Sequence, residues 1–224
     1  MSGPGGLALS WSGSKDSAFA LWTLAEEERV LPAALISTVT EEYERVSMHG
    51  VRSTLLRAQA AATGVPLVEV AIPASCTNDV YESRMEGAFA SPQLAEVDEV
   101  AFGDLFLEDI RDYRESRLAA AGKRARFPVW GRDTVALARS FLAAGFHAIL
   151  VCIDPRALDP SFAGRDYDER LLADLPTGVD PCGENGEFHT FVTDGPIFER
   201  PIHCRRGEVV EREGFVFCDL IEDG

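Results

Sequence analysis

The feature that most constrains this chain is the exchange of short apolar runs with segments of helical periodicity along its first two thirds. Leu7 to Trp11 is an apolar run, a polar turn follows, and Ala18, Leu21, Trp22 and Ala25 then recur at helical spacing. Ala33 to Val39 is the next run, after which Val51, Leu55, Ala58 and Ala62 mark a helix that stops at Gly64 before Pro66. Leu67 to Ile72 reads as a third strand, Tyr81, Met85 and Phe89 as the stripe of a helix starting near Asn78, and Glu99 to Phe102 as a fourth strand. Crossovers of that length require parallel pairing with helices on both faces. The expected fold class is therefore α/β, a doubly wound, mainly parallel, Rossmann-like sheet. Ligands in such sheets sit beyond the carboxyl ends of the strands, so the loops after strands carry the chemistry.

A charged helix is predicted from about Leu107 to Ala121, ended by Gly122, and another with Val135, Ala138 and Leu142 ends at Gly145. The apolar run Ala148 to Ile153 reads as a continuation of the same alternation. Beyond it come Pro and Gly punctuation, a short helix near Asp168 to Leu175, and period-two stretches around Val209 and Phe215 to Leu220. These place a smaller C-terminal α+β lobe after the nucleotide-binding type of domain, with a division into 1–135 and 136–224 and a boundary anywhere from 130 to 160.

Charge narrows the partners. With 21 Lys and Arg against 37 Asp and Glu, the net charge is −16, a poor surface for releasing counterions from long RNA or DNA, so no nucleic-acid partner is expected. A small phosphate ligand is unaffected, because one helix N-terminus and one Lys hold it locally. No run approaches the roughly 20 apolar residues that span a bilayer, and the start MSGPGGLALSWSG lacks the pattern of a secretory leader. The five cysteines are odd in number and scattered without a CxxC pair, so they read as reduced thiols of a cytoplasmic protein with no membrane partner and no zinc site. Oligomeric state is open, with a homodimer as one option.

The first strand runs directly into Ser12-Gly13-Ser14-Lys15-Asp16-Ser17 and then into a helix. Small residues, one cation and free backbone N–H groups thus meet at one helix N-terminus, an assembly suited to phosphate. No Gly stands directly before Lys15, so this is not the GxxxxGK[ST] loop, and no GxGxxG occurs either. The residues by themselves allow a second reading, in which Ser14 or Asp16 merely caps the helix and Lys15 is solvated.

Ser12 to Ser17 resembles the SGGxDS pyrophosphate-binding loop of the ATP pyrophosphatase superfamily, with Ser14 where Gly is usual. Met48-His49-Gly50-Val51-Arg52, the segment from Gly103-Asp104 through Tyr113-Arg114, the PVWGRDT segment ending at Thr134, and Gly183-Glu184-Asn185-Gly186-Glu187-Phe188-His189-Thr190 resemble the diphthine:ammonia ligase group and its relatives. These matches span most of the chain. The resemblance implies a fold of the adenine nucleotide alpha hydrolase type with a C-terminal domain completing the cleft, and ATP-driven amidation of a carboxylate. ATP and ammonia would be co-substrates and Mg²⁺ the metal. The eukaryotic and archaeal ligases of the group carry an acidic residue where this chain has His189.

Under that resemblance, Lys15, Asp16, Asp104 and Glu187 are candidate catalytic residues, and Asp16 and Asp104 candidate Mg²⁺ ligands. Ser12, Gly13, Ser14, Lys15, Asp16, Ser17, Gly103 and the second-strand residues Ser37 and Thr38 would hold ATP. His49, Arg52, Glu108, Arg111, Tyr113, Glu184, Asn185, Gly186 and His189 would meet the carboxylate-bearing acceptor, a protein side chain or a metabolite. Read locally, Asp104, Glu108 and Asp112 recur every four residues and would share one helical face if the helix starts early, although mixed charge there also fits any solvated helix. Gly183 to Glu187 reads as a flexible polar turn or, under the resemblance, a lid from the second lobe. His49 and Arg52 sit after the second strand, where they would steady a phosphate or carboxylate.

The implied chemistry is attack of the acceptor carboxylate on the α phosphate of ATP, loss of pyrophosphate, and conversion of the acyl adenylate to an amide by free ammonia. None of the cysteines stands in the context of a glutamine-splitting nucleophile. Three rivals stay open: the same amidation on a small metabolite carboxylate, conceivably corrinoid-related; a tRNA-modifying enzyme, which net charge opposes; and a nucleotide-binding sensor without turnover.

Overall fold

Parallel pairing of the first strands dictates where everything else lies. The computed structural model describes residues 6–223; of the GPGG run at 3–6, positions 3–5 lie outside the described residues. β1 (Gly6–Ser10) pairs in parallel with β2 (Ala34–Thr40) and, on its other edge, with β5 (Val97–Ala101), which in turn pairs with β6 (Arg124–Arg126). β4 (Leu67–Ile72) runs parallel along the far edge of β2, and the two-residue β3 (Arg45–Val46) pairs antiparallel with the end of β2, beyond the end of β1. The order β4-β2-β1-β5-β6 reverses direction between β1 and β5, so the crevice outside their carboxyl ends is the topological switch point.

The crossovers are α1 (Lys15–Glu26), α2 (Ser53–Thr63), α3 (Asn78–Phe89) and α4 (Glu108–Ala120). α2 ends as its sequence requires, with Gly64 at φ 70° in the left-handed cap. Alternation along β1 sends Leu7, Leu9 and Trp11 into one core and Ala8 into another. The first core is continuous with the second lobe, joining Leu9 and Phe19 to Phe141, Phe191 and Leu220 in a single cluster. The second core lies against α3 and α4. α3 buries no residue, and its stripe Tyr81, Met85 and Phe89 is only half-buried.

After α5 (Thr134–Ala143), capped by the Asp133 carboxylate accepting from Ala136 N, the pattern changes. β7 (His147–Ile153) does not continue the parallel sheet as its apolar run suggested. It is the second strand of an antiparallel sheet in the order β8-β7-β10-β9, with β8 (Phe188–Asp194), β9 (Cys204–Arg212) and β10 (Phe215–Glu222). A fully buried apolar run satisfies either kind of sheet, which is why periodicity alone misplaced it. α6 (Glu169–Asp174), capped by Asp168, is the short helix expected there. No helix among the described residues is long and apolar enough to cross a membrane.

Candidate active site

The loop between β1 and α1 lies at the switch point, and its own residues set its shape. Gly13 has φ +77°, and a Cβ there would come within 2.4 Å of Gln59 Oε1. Ser14 has φ −80° and caps α1 by accepting from Ser17 N, so this position needs no glycine and Ser fits without strain. Ser12 Oγ donates to Ser14 Oγ at 2.8 Å, and Ser17 Oγ donates to the Ser14 carbonyl at 3.0 Å.

Lys15 is not solvated. The residue is 2% exposed, its Nζ donates to both Asp16 carboxylate oxygens at 2.6 and 2.8 Å and to the Cys182 carbonyl, and its backbone N donates to Thr190 Oγ1 at 3.0 Å. Burial pulls its pKa down, but the Asp16 carboxylate and the other negative groups around it outweigh this and hold the ammonium protonated. The second lobe thus closes directly on the loop. Val192 N and Gln59 Nε2 both donate to the Gly13 carbonyl, at 2.9 and 3.1 Å, and Gln59 Nε2 also donates to the Val192 carbonyl at 2.6 Å.

The loop after β5 packs on the same point. A Cβ on Gly103 would lie 2.7 Å from the Asp16 carbonyl carbon, so only Gly permits the approach. Asp104 is held by Arg114 Nε and Nη2 at 2.6 and 3.3 Å. Because α4 begins at Glu108, with Leu107 at the N-cap position and no side-chain cap, Asp104 is outside the helix; Glu108 and Asp112 are exposed, and the three carboxylates expected on one helical face do not line up. Arg111, expected to meet the acceptor, already has partners in the protein. It bonds Glu115 at 2.8 Å, and its guanidinium stacks over Phe127 and Trp130 at 5.2 and 4.9 Å. Tyr113 lines the cleft and is exposed.

Segment 180–187 is pinned rather than flexible. Glu187 is buried, and its carboxylate accepts from Asp180 N, Asn185 N and Asn185 Nδ2 at 2.9–3.0 Å, while Gly186 makes the turn at φ +85°. That is the bonding of a loop anchor, with all three donors on the loop's own residues. Glu184 is the carboxylate of this segment that reaches the other lobe, accepting from Leu105 N at 2.7 Å. Burial, against the Leu105 hydrogen bond and with repulsion from Asp16, pushes it up to about 7.

Arg52 was expected on a phosphate or carboxylate ligand, but its Nη2 and Nε bond Asp219 of β10 at 2.6 and 3.2 Å, and Arg45 joins the same carboxylate at 2.8 Å. His49 and His189 meet across the lobes with ring centroids 4.4 Å apart. Burial, then the other ring and the Lys15 ammonium, lowers His49 well below the ordinary imidazole range; burial, with Lys15 adding, lowers His189 to about 4. An unfolded chain would bind the His189 proton first as pH falls, so this residue removes stability between its ordinary 6.5 and about 4. His189→Gln should accordingly flatten the acid limb of melting temperature against pH in that window.

Beside the loop opens a cleft of about 1020 Å³, lined by Ser12, Ser37 and Thr38, by His49 and His189, and by Tyr81, Met85 and Phe89 of α3. It therefore gathers the expected second-strand residues with several that sequence reasoning missed. The α3 stripe was visible only as the apolar face of a helix, and Gln59 and Arg114 carried no signal in isolation. Asp16 and Asp104 are the two carboxylates that would hold a Mg²⁺ ion, which takes one or two carboxylates along with phosphate and water oxygens; the Asp104 carboxylate repels that of Asp16. Among the described residues no cluster of three or more His, Cys, Asp or Glu forms a complete protein cage for a metal.

A family model described as the diphthamide synthase N-terminal domain matches residues 6–124, and one described as the diphthamide synthase C-terminal domain matches residues 133–221. The chain is 28% identical to the diphthine–ammonia ligases of Bos taurus and Homo sapiens over 154 residues, 65% of this chain and 56% of each relative. To that of Mus musculus it is 25% identical over 234 residues, 93% of this chain and 86% of the relative. The matches thus span little more than half the length of the bovine and human relatives.

Proposed function

Since the chain belongs to the diphthamide synthase family, we propose that it is an ATP-dependent, AMP-forming carbon–nitrogen ligase that adenylates an acceptor carboxylate and converts it to an amide with ammonia. The observation that carries this reading is the Ser12–Ser17 loop at the switch point, closed from above by Thr190, Cys182 and Val192 of the second lobe. We divide the chain at about residue 135 into a nucleotide-binding domain and an acceptor-binding lobe, and place the protein in the cytoplasm on its five free cysteines.

Loss of pyrophosphate puts negative charge on the leaving oxygens. The Lys15 ammonium and the N-terminus of α1 would stabilise it, with the Ser12 and Ser17 hydroxyls of the same loop adding hydrogen bonds. Asp16 and Asp104 would hold Mg²⁺, which supplies further charge neutralisation at the phosphates. Glu184 bridges the two lobes at the loop, and that contact would help to exclude water, which would otherwise hydrolyse the adenylate. The acceptor is the diphthine carboxylate of the relatives' name or a metabolite carboxylate, and its identity is what the assay reports.

Incubation with ATP, Mg²⁺ and ammonium, with and without a diphthine-bearing protein and a panel of carboxylate metabolites, should give acceptor-dependent AMP and pyrophosphate by mass spectrometry. ADP and phosphate as the products would remove the adenylating mechanism. Turnover with no acceptor dependence would remove the ligase.

A further inference from the structure

Gln59 lies inside α2 and is completely buried, yet both of its side-chain hydrogen bonds leave its own helix. One goes to the Gly13 carbonyl and the other to the Val192 carbonyl. β8 is the edge strand of its sheet, and Val192 turns both of its backbone groups outward there, its N donating to Gly13 and its carbonyl accepting from Gln59. The carboxamide thus stands where the peptide of a neighbouring strand would stand. Because two carbonyls require a donor, Nε2 must face them, which leaves Oε1 as a buried acceptor without a partner. That oxygen packs against the Cα of Gly13, on the side where a Cβ would collide with it. A bare buried acceptor costs stability and so offsets the gain at the Val192 carbonyl. The bonding of Gln59 therefore has a weak effect on folding and a strong one on the geometry of Gly13.

That geometry decides what the phosphate loop presents. The Gly13–Ser14 peptide is trans, so its N–H points away from its carbonyl. With the carbonyl drawn to Gln59 and Val192, the Ser14 N–H is turned to the other side, where Ser12 Oγ lies at a long 3.4 Å. The hydroxyl oxygens of Ser12, Ser14 and Ser17 gather there, 2.8–3.5 Å from one another. The next N–H along the chain, that of Lys15, is already taken by Thr190 Oγ1. Gly13, at φ +77°, has the backbone freedom to let this peptide rotate. A rotated peptide would place a carbonyl oxygen among the three hydroxyls and exchange a donor for an acceptor that repels phosphate.

We propose that Gln59 is a positioning residue for adenylation, holding the Gly13–Ser14 peptide so that the Ser14 N–H donates to the pyrophosphate leaving group. The inference rests on the ligase reading above. In the step it serves, an acceptor carboxylate oxygen bonds the α phosphorus while the bond from that phosphorus to the α–β bridging oxygen breaks, its electron pair leaving with pyrophosphate. The Ser14 N–H stabilises the charge gathering on the departing group and transfers no proton. Val192 grips the Gly13 carbonyl from the second lobe, whereas Gln59 and Gly13 both belong to the first. The aim of this donor is therefore set within the nucleotide-binding lobe itself.

The test uses Gln59→Met, which keeps the length of the side chain, and Gln59→Glu, which keeps its shape and removes the donor, both in the full chain. Titration calorimetry should show inorganic pyrophosphate bound about tenfold more weakly by each variant, with adenosine bound within about twofold of wild type. The kcat for pyrophosphate release should fall at least as far. The melting temperature of Gln59→Met should stay close to that of wild type, since a bare Oε1 and one hydrogen bond at Val192 are lost together. In the wild-type protein the Ser14 amide ¹⁵N–¹H resonance should shift saturably with pyrophosphate, and in Gln59→Met this shift should be lost. Equal loss of pyrophosphate and adenosine affinity, or unchanged pyrophosphate affinity in both variants, overturns the positioning role. A Ser14 amide that does not respond to bound pyrophosphate in the wild type overturns it too, whether or not the variants fold. A wild-type protein that binds neither probe, or that releases ADP and phosphate from ATP, overturns the ligase reading instead.

Discussion

Lys15→Ala should reduce acceptor-dependent pyrophosphate release by about 10²–10³-fold, the range seen when one charge-stabilising donor is removed from a transition state. The same substitution should also destabilise the protein, because Lys15 is buried and its Nζ satisfies the Asp16 carboxylate and the Cys182 carbonyl together. Removing one partner of such a pair costs on the order of 3 kcal/mol, visible as a lower melting temperature. The double variant Lys15→Met with Asp16→Asn separates the two effects. It leaves no unpaired carboxylate and keeps the apolar stem, so most of the lost stability should return while activity does not. Full activity in Lys15→Ala would remove the loop from the mechanism.

Glu187→Ala should be the most damaging substitution in the second lobe. Three donors, Asp180 N, Asn185 N and Asn185 Nδ2, lose their acceptor at once, and each one left buried costs about 1–3 kcal/mol, less whatever water recovers. Amide exchange at Asp180 and Asn185 should accelerate strongly. Glu184 and the Cys182 carbonyl ride on the same loop, so ATP affinity and amide formation should fall in parallel. A loss confined to amide formation, with unchanged amide exchange, would return Glu187 to a direct role at the acceptor.

The sequence made the parallel-sheet half of the fold legible because each of its signals is local. The Gly64 cap, the apolar runs of β1, β2 and β4, and the loop Ser12–Ser17 need only neighbours in the chain to be read. What escaped depended on partners far away. β7 looked like one more parallel strand because a buried strand shows no alternation, and β8 was hidden under a loop signature whose Phe188 already begins the strand. Arg52 and Arg111 have the chemistry of ligand contacts, yet Asp219, Glu115 and two aromatic rings use that chemistry up. The stripe Tyr81, Met85 and Phe89 has the spacing of a core face, and only the exposure of α3 reveals that it borders a cleft.

The carbonyl of Gly13 receives one hydrogen bond from Val192 in the second lobe and one from Gln59 in the first, and Gln59 also holds Val192. This three-way knot has an evolutionary consequence. A lineage cannot acquire a new acceptor by exchanging the C-terminal lobe as a cassette, since an incoming strand must also present the right backbone to Gly13, a hydroxyl to Lys15 and a carbonyl to its ammonium. Diversification is channelled instead into the residues between these knots, such as His189 on the neighbouring position of β8, where a side chain changes without moving the backbone that the first lobe grips.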